Sequence, residues 1–282
     1  MSDAATQDRL RVNFIGIGGR KCATSWVFKC LTEHPDICGA HSKETHFFST
    51  DNLYDQGLAA YAAHFTICGN EKIRGEFSTS YLTSTQAAKR IYEDFPQVKL
   101  IVCLRDPVAR AVSALQHMLS KGKIRKTDAL QDILKRYPEL LEEGMYGKYL
   151  AAYLKLFPRN QLHITRYEDI QKNPQQVIRE LYRYLGVDAT FTPQGLYYKY
   201  NTSGARNAIW FKHSLALYHA LMRNAFGRML VKALKRLGLN AYTLDTVLRR
   251  GTTNAYAVSD QDRQRITRFY ENDQRLLQKL LA

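Results

Sequence analysis

The stretch RVNFIGIGGRKCATS, residues 11–25, decides the fold. Arg11 to Ile17 reads as a short buried strand, and Gly16, Gly18 and Gly19 follow as a tight turn. A helix is expected from about Thr24 to His34, with Trp26, Val27, Cys30 and Leu31 on one face. Glycines let a backbone approach a phosphate closely, and free N–H groups at a helix start attract anions. Lys21 adds a point charge there, and Thr24 and Ser25 add hydroxyl donors.

Working outward, residues 72–77 form a second strand candidate and 84–94 a helix. Residues 98–104 (VKLIVCL) are the clearest buried strand, rich in β-branched and apolar side chains. Asp106 and Pro107 then read as an N-cap and first helical position, with the helix running to about Leu119. Helical patterns continue over 128–143, 146–157, 174–186 and 259–281, with a further short strand at 161–165. Strands alternating with helices predict an α/β fold: a single domain over 12–282 after a polar tail at 1–11. Its central sheet is mostly parallel and flanked by helices, with a P-loop-like phosphate-binding loop and a helical C-terminal part.

The chain has 282 residues, 45% of them hydrophobic, which suffices for a sizeable core. Residues 1–11 lack an apolar core of signal-peptide type, and no run of eighteen apolar residues occurs. The expectation is a cytoplasmic protein. Five cysteines, an odd number without a C-x-x-C pair, suggest neither a disulfide framework nor a zinc site, in keeping with a reducing compartment. The net charge of +15 favours an anionic partner without choosing among nucleotide, glycan, lipid and nucleic acid.

A magnesium-dependent P-loop kinase fits the loop poorly. In the pattern G-x-x-x-x-G-K-[ST], lysine directly follows glycine and a hydroxyl residue follows lysine. Here Arg20 separates Gly19 from Lys21, and Cys22 takes the hydroxyl position. A nucleic-acid-binding protein would account for the charge, but no zinc-finger, RRM or other reader motif is present, so no nucleic acid is expected.

Lys21-Cys22-Ala23-Thr24-Ser25 resembles the 5′-phosphosulfate loop, roughly K-x-G-T-[TS], of sulfotransferases that use 3′-phosphoadenosine 5′-phosphosulfate (PAPS). Ala23 replaces the usual glycine, which is tolerable if that position is already helical. Arg105 at the end of the 98–104 strand, with Ser113 eight residues later, is similar to the family's 3′-phosphate block. Lys43-Glu44-Thr45-His46-Phe47-Phe48 looks like the K-E-x-H-F-F segment of its glycan-type members. Further blocks are residues 75–82 (GEFSTSYL), Arg166-Tyr167-Glu168-Asp169, and Asn201-Thr202-Ser203-Gly204 with Arg206.

The resemblance implies roles. Lys21 neutralises charge growing on the departing 5′-phosphate, while Arg20, Cys22, Ala23, Thr24 and Ser25 complete the loop around it. Arg105 and Ser113 hold the 3′-phosphate, joined by Gly204 and Arg206 from a lid. Glu44 is the implied general base, with His46 as the alternative base; Lys43 and Glu76 are implied acceptor contacts. No metal is implied, and the co-product is adenosine 3′,5′-bisphosphate (PAP). The implied acceptor is a carbohydrate or glycolipid, with a small-molecule natural product as runner-up. Residues 201–250 carry nine Lys or Arg from Arg206 to Arg250 against Asp245 alone, with leucines at helical spacing. They are expected to form a basic helical lid or acceptor region, able to gather an anionic acceptor or an anionic membrane surface.

Overall fold

The computed structural model describes residues 11–197 and 256–282. Two compact units partition the chain: one comprises 1–114, 129–201 and 258–282, the other 115–128 and 202–257. The segment 201–250, expected to be basic and helical, lies outside the described residues, and Gly204 and Arg206 with it. Of the second unit, the described part shows Gln116 bonded through its side-chain amide to the N–H and C=O of Tyr256, whose hydroxyl donates to Asp128 O.

The first unit is built on a five-stranded parallel sheet: β1 (Phe14–Gly18), β2 (Ile37–Gly39), β3 (Ile73–Phe77), β4 (Lys99–Leu104) and β5 (Leu162–Arg166), in the order β2-β3-β1-β4-β5. β1 is buried throughout, as a central parallel strand covered on both faces must be. Its register sets Ile15 beside Glu76 on β3 and Leu100 on β4. β2 has only three residues and carries no periodic signal, so sequence reading missed it. The order reverses at β1, which places a topological switch point at the carboxyl ends of β1, β3 and β4, where open α/β sheets bind ligands.

The helices are α1 (Thr24–Thr32), α2 (Thr85–Asp94), α3 (Pro107–Ser120), α4 (Leu130–Arg136), α5 (Tyr146–Leu154), α6 (Tyr167–Lys172), α7 (Pro174–Leu185) and α8 (Asp260–Leu281), with several shorter turns. Their starts follow capping chemistry. Ser84 accepts from Ala87 N, Asp106 Oδ1 from Ala109 N, Asn173 from Gln176 N and Ser259 from Asp262 N. The helix expected over 128–143 is instead two pieces, α4 and Glu139–Glu142. Pro138 is the cause: a residue before proline is driven out of the helical region, and Tyr137 sits at φ −136°.

The C-terminal α8 belongs to the same unit as the sheet. Asp273 is buried and accepts from Gly147 N (2.9 Å) and Lys148 N (2.7 Å), neutralising N–H groups that open α5. Gly147 permits this approach, because a Cβ there would lie 2.5 Å from Asp273 O.

The cysteine expectation needs correction. Cys38 and Cys68 form a disulfide, while Cys22, Cys30 and Cys103 are buried free thiols. Cys38 is the middle residue of β2 and Cys68 follows thirty residues later, a pairing set by tertiary proximity that spacing could not reveal. The support that cysteine usage lent to a reducing compartment therefore falls away. No helix among the described residues is long and apolar enough to cross a membrane.

Candidate active site

The loop between β1 and α1 wraps the switch point. Gly19 N donates to Cys103 O on β4 at 2.7 Å, tying the turn to the sheet. Ala23 is the N-cap of α1 and contributes no capping side chain, so the helix start keeps donors facing the loop. Ala23 is not in a helical conformation: it stands at φ 65°, ψ 20°, in the left-handed region. The tolerance expected for alanine at this position on the ground of helicity is thus overturned. Lys21 has φ 67°, so the loop holds two strained non-glycine residues in a row of three.

Three cations converge on the loop. Lys21 is held below the ordinary lysine range by burial, and then by the nearby charges of Arg20 and Arg105. Arg105 Nη1 donates to Lys21 O at 3.5 Å, and its guanidinium stacks on the Tyr167 ring at 4.2 Å. Asp106 does not pair with Arg105: its Oδ1 caps α3, and its N–H donates to Glu168 Oε1. Arg20 is bound by Glu143, which also accepts from the fully buried Arg110. Ser113 is half-buried on α3, two turns beyond the cap. Such a cluster fits a polyanion.

Cys22 is buried against Tyr146, and burial pushes its thiol up to about 11, so it remains protonated. Its side chain packs in the core and its Sγ also donates to Arg20 O at 3.4 Å, bracing the loop from beneath. Thr24 is also buried, but its hydroxyl meets Lys43 Nζ at 3.4 Å. Ser25 opens α1 directly after it.

Lys43 also pairs with Glu44 Oε1. Glu44 Oε2 accepts from both N–H and hydroxyl of Thr79, each at 2.7 Å. Burial opposes ionisation of Glu44, but Lys43 and the Thr79 donors outweigh it and hold the carboxyl below the ordinary glutamate range. Glu44 (φ 71°) and His46 (φ 55°) are both left-handed. Lys21, Ala23, Glu44 and His46 are the non-glycine residues of positive φ among the described ones, and all four were singled out from sequence. Backbone strain concentrates where a site must hold fixed geometry. His46 Nδ1 lies 2.8 Å from Ser80 Oγ.

Glu76, the other implied acceptor contact, lies at the carboxyl end of β3. It is 0% exposed and its Oε2 accepts from Ser78 Oγ at 2.9 Å, beneath the 43–48 segment. Tyr167, Thr79 and Glu143 were given no individual role by sequence reading. Tyr167 and Thr79 did fall within blocks already noticed, 166–169 and 75–82; Glu143 carried no signal.

The profile described as "Sulfotransferase domain" matches residues 13–203. The chain belongs to the sulfotransferase family. The matched span includes every element of the site just described. A sulfotransferase crystal structure from Alicyclobacillus acidocaldarius is 29% identical with a TM-score of 0.60, covering 76% of this chain and 96% of that one. Human heparan sulfate glucosamine 3-O-sulfotransferase 5 is 27% identical over 194 residues, 64% of this chain and 55% of its own length. The membrane-associated sulfotransferase kil1 of Dictyostelium discoideum is 24% identical over 62% of this chain and 56% of its own length. The chain spans about half the length of the curated relatives it matches. The sulfotransferase fold of a parallel sheet flanked by helices is therefore shared, and the loop at 18–25 opens its first βα unit.

Proposed function

We propose that this sulfotransferase moves a sulfuryl group from PAPS to a hydroxyl or amine of a carbohydrate-type acceptor, releasing PAP. The observation that carries the reading is the meeting of Lys43 and Glu44 with Thr24 at the cationic loop. That contact sets an ionised carboxylate next to a polyanion cradle, the pairing sulfuryl transfer needs. Like phosphoryl transfer, the reaction asks for an in-line nucleophile and a stabilised leaving phosphate.

Glu44, ionised at neutral pH, accepts the acceptor proton as the new S–O bond forms and the S–O bond to the 5′-phosphate breaks. Lys21 neutralises the charge that grows on that leaving phosphate. Arg105 and Ser113 take the 3′-phosphate, with Gly204 and Arg206 added from the lid. Lys43 positions Glu44 and faces the transferred oxygens. A carbohydrate or glycolipid acceptor is favoured by the heparan sulfate relatives and by the 43–48 block. The basic segment at 201–250 would gather such an anionic acceptor or a membrane bearing it, as a cytoplasmic or peripheral enzyme requires.

An acceptor screen with labelled PAPS, read by mass spectrometry, tests the reaction. Lys21→Ala should lose most of kcat, and Glu44→Gln should lose turnover while keeping PAP affinity. A normal rate in Glu44→Gln combined with loss in His46→Ala transfers the base role to His46.

A further inference from the structure

Beneath the strained segment lies a carboxyl that the mechanism above does not use. Glu76 sits on the central sheet beside Ile15 and is fully buried. A buried carboxyl is costly unless something needs it. What surrounds it is polar and specific. Ser78 Oγ donates to Glu76 Oε2 at 2.9 Å and accepts from His46 N at 3.0 Å. Thr45 Oγ1 stands 3.5 Å from Ser78 Oγ and 2.8 Å from Tyr81 OH, and Phe48 N reaches Tyr81 OH at 3.4 Å. The Tyr61 and Tyr81 hydroxyls face the carboxyl, and Tyr153 donates to Tyr81 O at 2.9 Å. Glu76 thus anchors the Ser78 hydroxyl that holds residue 46, beside the Tyr81 hydroxyl that holds residues 45 and 48.

A hydroxyl has one proton and two lone pairs. When Glu76 takes the Ser78 proton, the Ser78 lone pairs are left facing the His46 N–H. That N–H belongs to a left-handed residue two positions after another, Glu44, whose own N–H is held by Phe77 O at 2.9 Å, so the β3 end fixes both.

We propose that Glu76 is a positioning residue of this site: its carboxylate orients the Ser78 hydroxyl, and Ser78 locks the backbone that presents Glu44 and His46. The proposal rests on reading Glu44 and His46 as the reactive pair.

The charged and titratable groups facing Glu76 are Glu44 from the 43–48 segment, Tyr81 from the turn after β3, Tyr61 from the short helix Gly57–Ala62 and Tyr153 from α5. Burial pushes Glu76 up to about 7, with the neighbouring Tyr81, Ser78 and Thr45 hydroxyls holding it down from higher values. Its charge therefore changes in the neutral range, above the range in which Glu44 titrates.

Glu76→Gln keeps the shape but removes the charge, so the bond from Ser78 loses its charge assistance, about half its strength. Because Glu76 is raised above its unfolded value, its contribution to stability is present below that value and lost as pH rises through about 7. Glu76→Gln lacks that loss, so at pH 8 its thermal midpoint should match or exceed the wild type. Its PAP Kd should stay within twofold while kcat falls about tenfold. The wild-type kcat should drop as pH falls through the neutral range, and Glu76→Gln should lack that inflection. Ser78→Ala should lower kcat similarly, and the double variant should be no slower than the slower single, because both act through one link. Unchanged kcat in Glu76→Gln, additive losses in the double variant, or equal losses of kcat and PAP affinity would each overturn the proposal. Hydrogen exchange of the 44–48 amides, expected to speed up at least fivefold in both single variants, reads the positioning without turnover. If the wild type neither binds PAP nor transfers sulfate, the functional reading fails, while unaltered exchange would sink the role of Glu76 independently.

Discussion

Lys43 Nζ stands 3.4 Å from Thr24 Oγ1, although nineteen residues separate them in the chain. Through this contact the N-terminus of α1 and the carboxylate of Glu44 become parts of one site. The sheet order makes it possible, because the loops after β1 and β2 both emerge at the carboxyl edge.

The Thr79 donors to Glu44 have a pH signature. They help Lys43 outweigh burial and keep Glu44 ionised. Glu44 is lowered in the folded protein, so its contribution to stability is present above the unfolded glutamate value and lost as pH falls through the folded one. Thr79→Val removes one donor and should raise the Glu44 pKa. The acid limb of kcat/KM should then begin at higher pH than in the wild type. An acid limb unmoved by this substitution would deny Thr79 that role.

Arg105 and Tyr167 should govern donor affinity. A guanidinium over an aromatic face is worth about 1 kcal/mol, roughly fivefold in binding. Tyr167→Leu should weaken PAP by about that factor in calorimetry, with kcat nearly unchanged. Arg105→Ala should weaken PAP far more and erase its advantage over 5′-AMP, which lacks the 3′-phosphate. Equal loss for both nucleotides would remove Arg105 from the 3′-phosphate site.

Ala23→Gly should stabilise the protein. A left-handed conformation costs alanine about 1–2 kcal/mol, and Ala23 occupies it at φ 65°. Glycine gives back about 0.4–1 kcal/mol through its freer unfolded chain. The net gain should be about 0.5–1 kcal/mol, seen as a higher denaturant midpoint. A lower midpoint would contradict the assigned backbone.

The Cys38–Cys68 disulfide closes a thirty-residue loop that contains Lys43, Glu44 and His46. Cross-linking a loop of this length restricts the unfolded chain by about 3–4 kcal/mol. Dithiothreitol, or Cys38→Ser with Cys68→Ser, should lower stability by up to that amount. It should also reduce kcat more than PAP affinity, since α1 and Arg105 lie outside the loop. Identical unfolding curves with and without reductant would show that the bridge is not formed.

The elements at 14–32, 85–94, 99–120 and 174–185 were legible because their signals are local: a buried apolar run, a capping side chain, a proline at a helix start. Lys21 and Arg105 were legible too, since each follows a buried apolar strand, whereas Lys43 and Glu44 were legible only through the resemblance of residues 43–48 to a family motif. β2 was not, because three residues cannot display a period. The pairing of Cys38 with Cys68 was hidden for a related reason: partners in space leave no mark on spacing.

By itself, then, the order of residues determined the alternation of strands and helices, the glycine-rich turn after β1 and the identities of the groups that carry charge. Tertiary structure alone decided which of two glutamates is reachable. Glu44 and Glu76 look alike in sequence, each the second residue of a short motif. Glu44 is turned outward by a left-handed backbone and held by Lys43 and Thr79. Glu76 falls on the strand beside Ile15, where the sheet's packing seals it beneath Tyr61 and Tyr81. The register of β3 against β1 sets that difference, and register is a property of the folded sheet, fixed by long-range pairing that no local stretch contains.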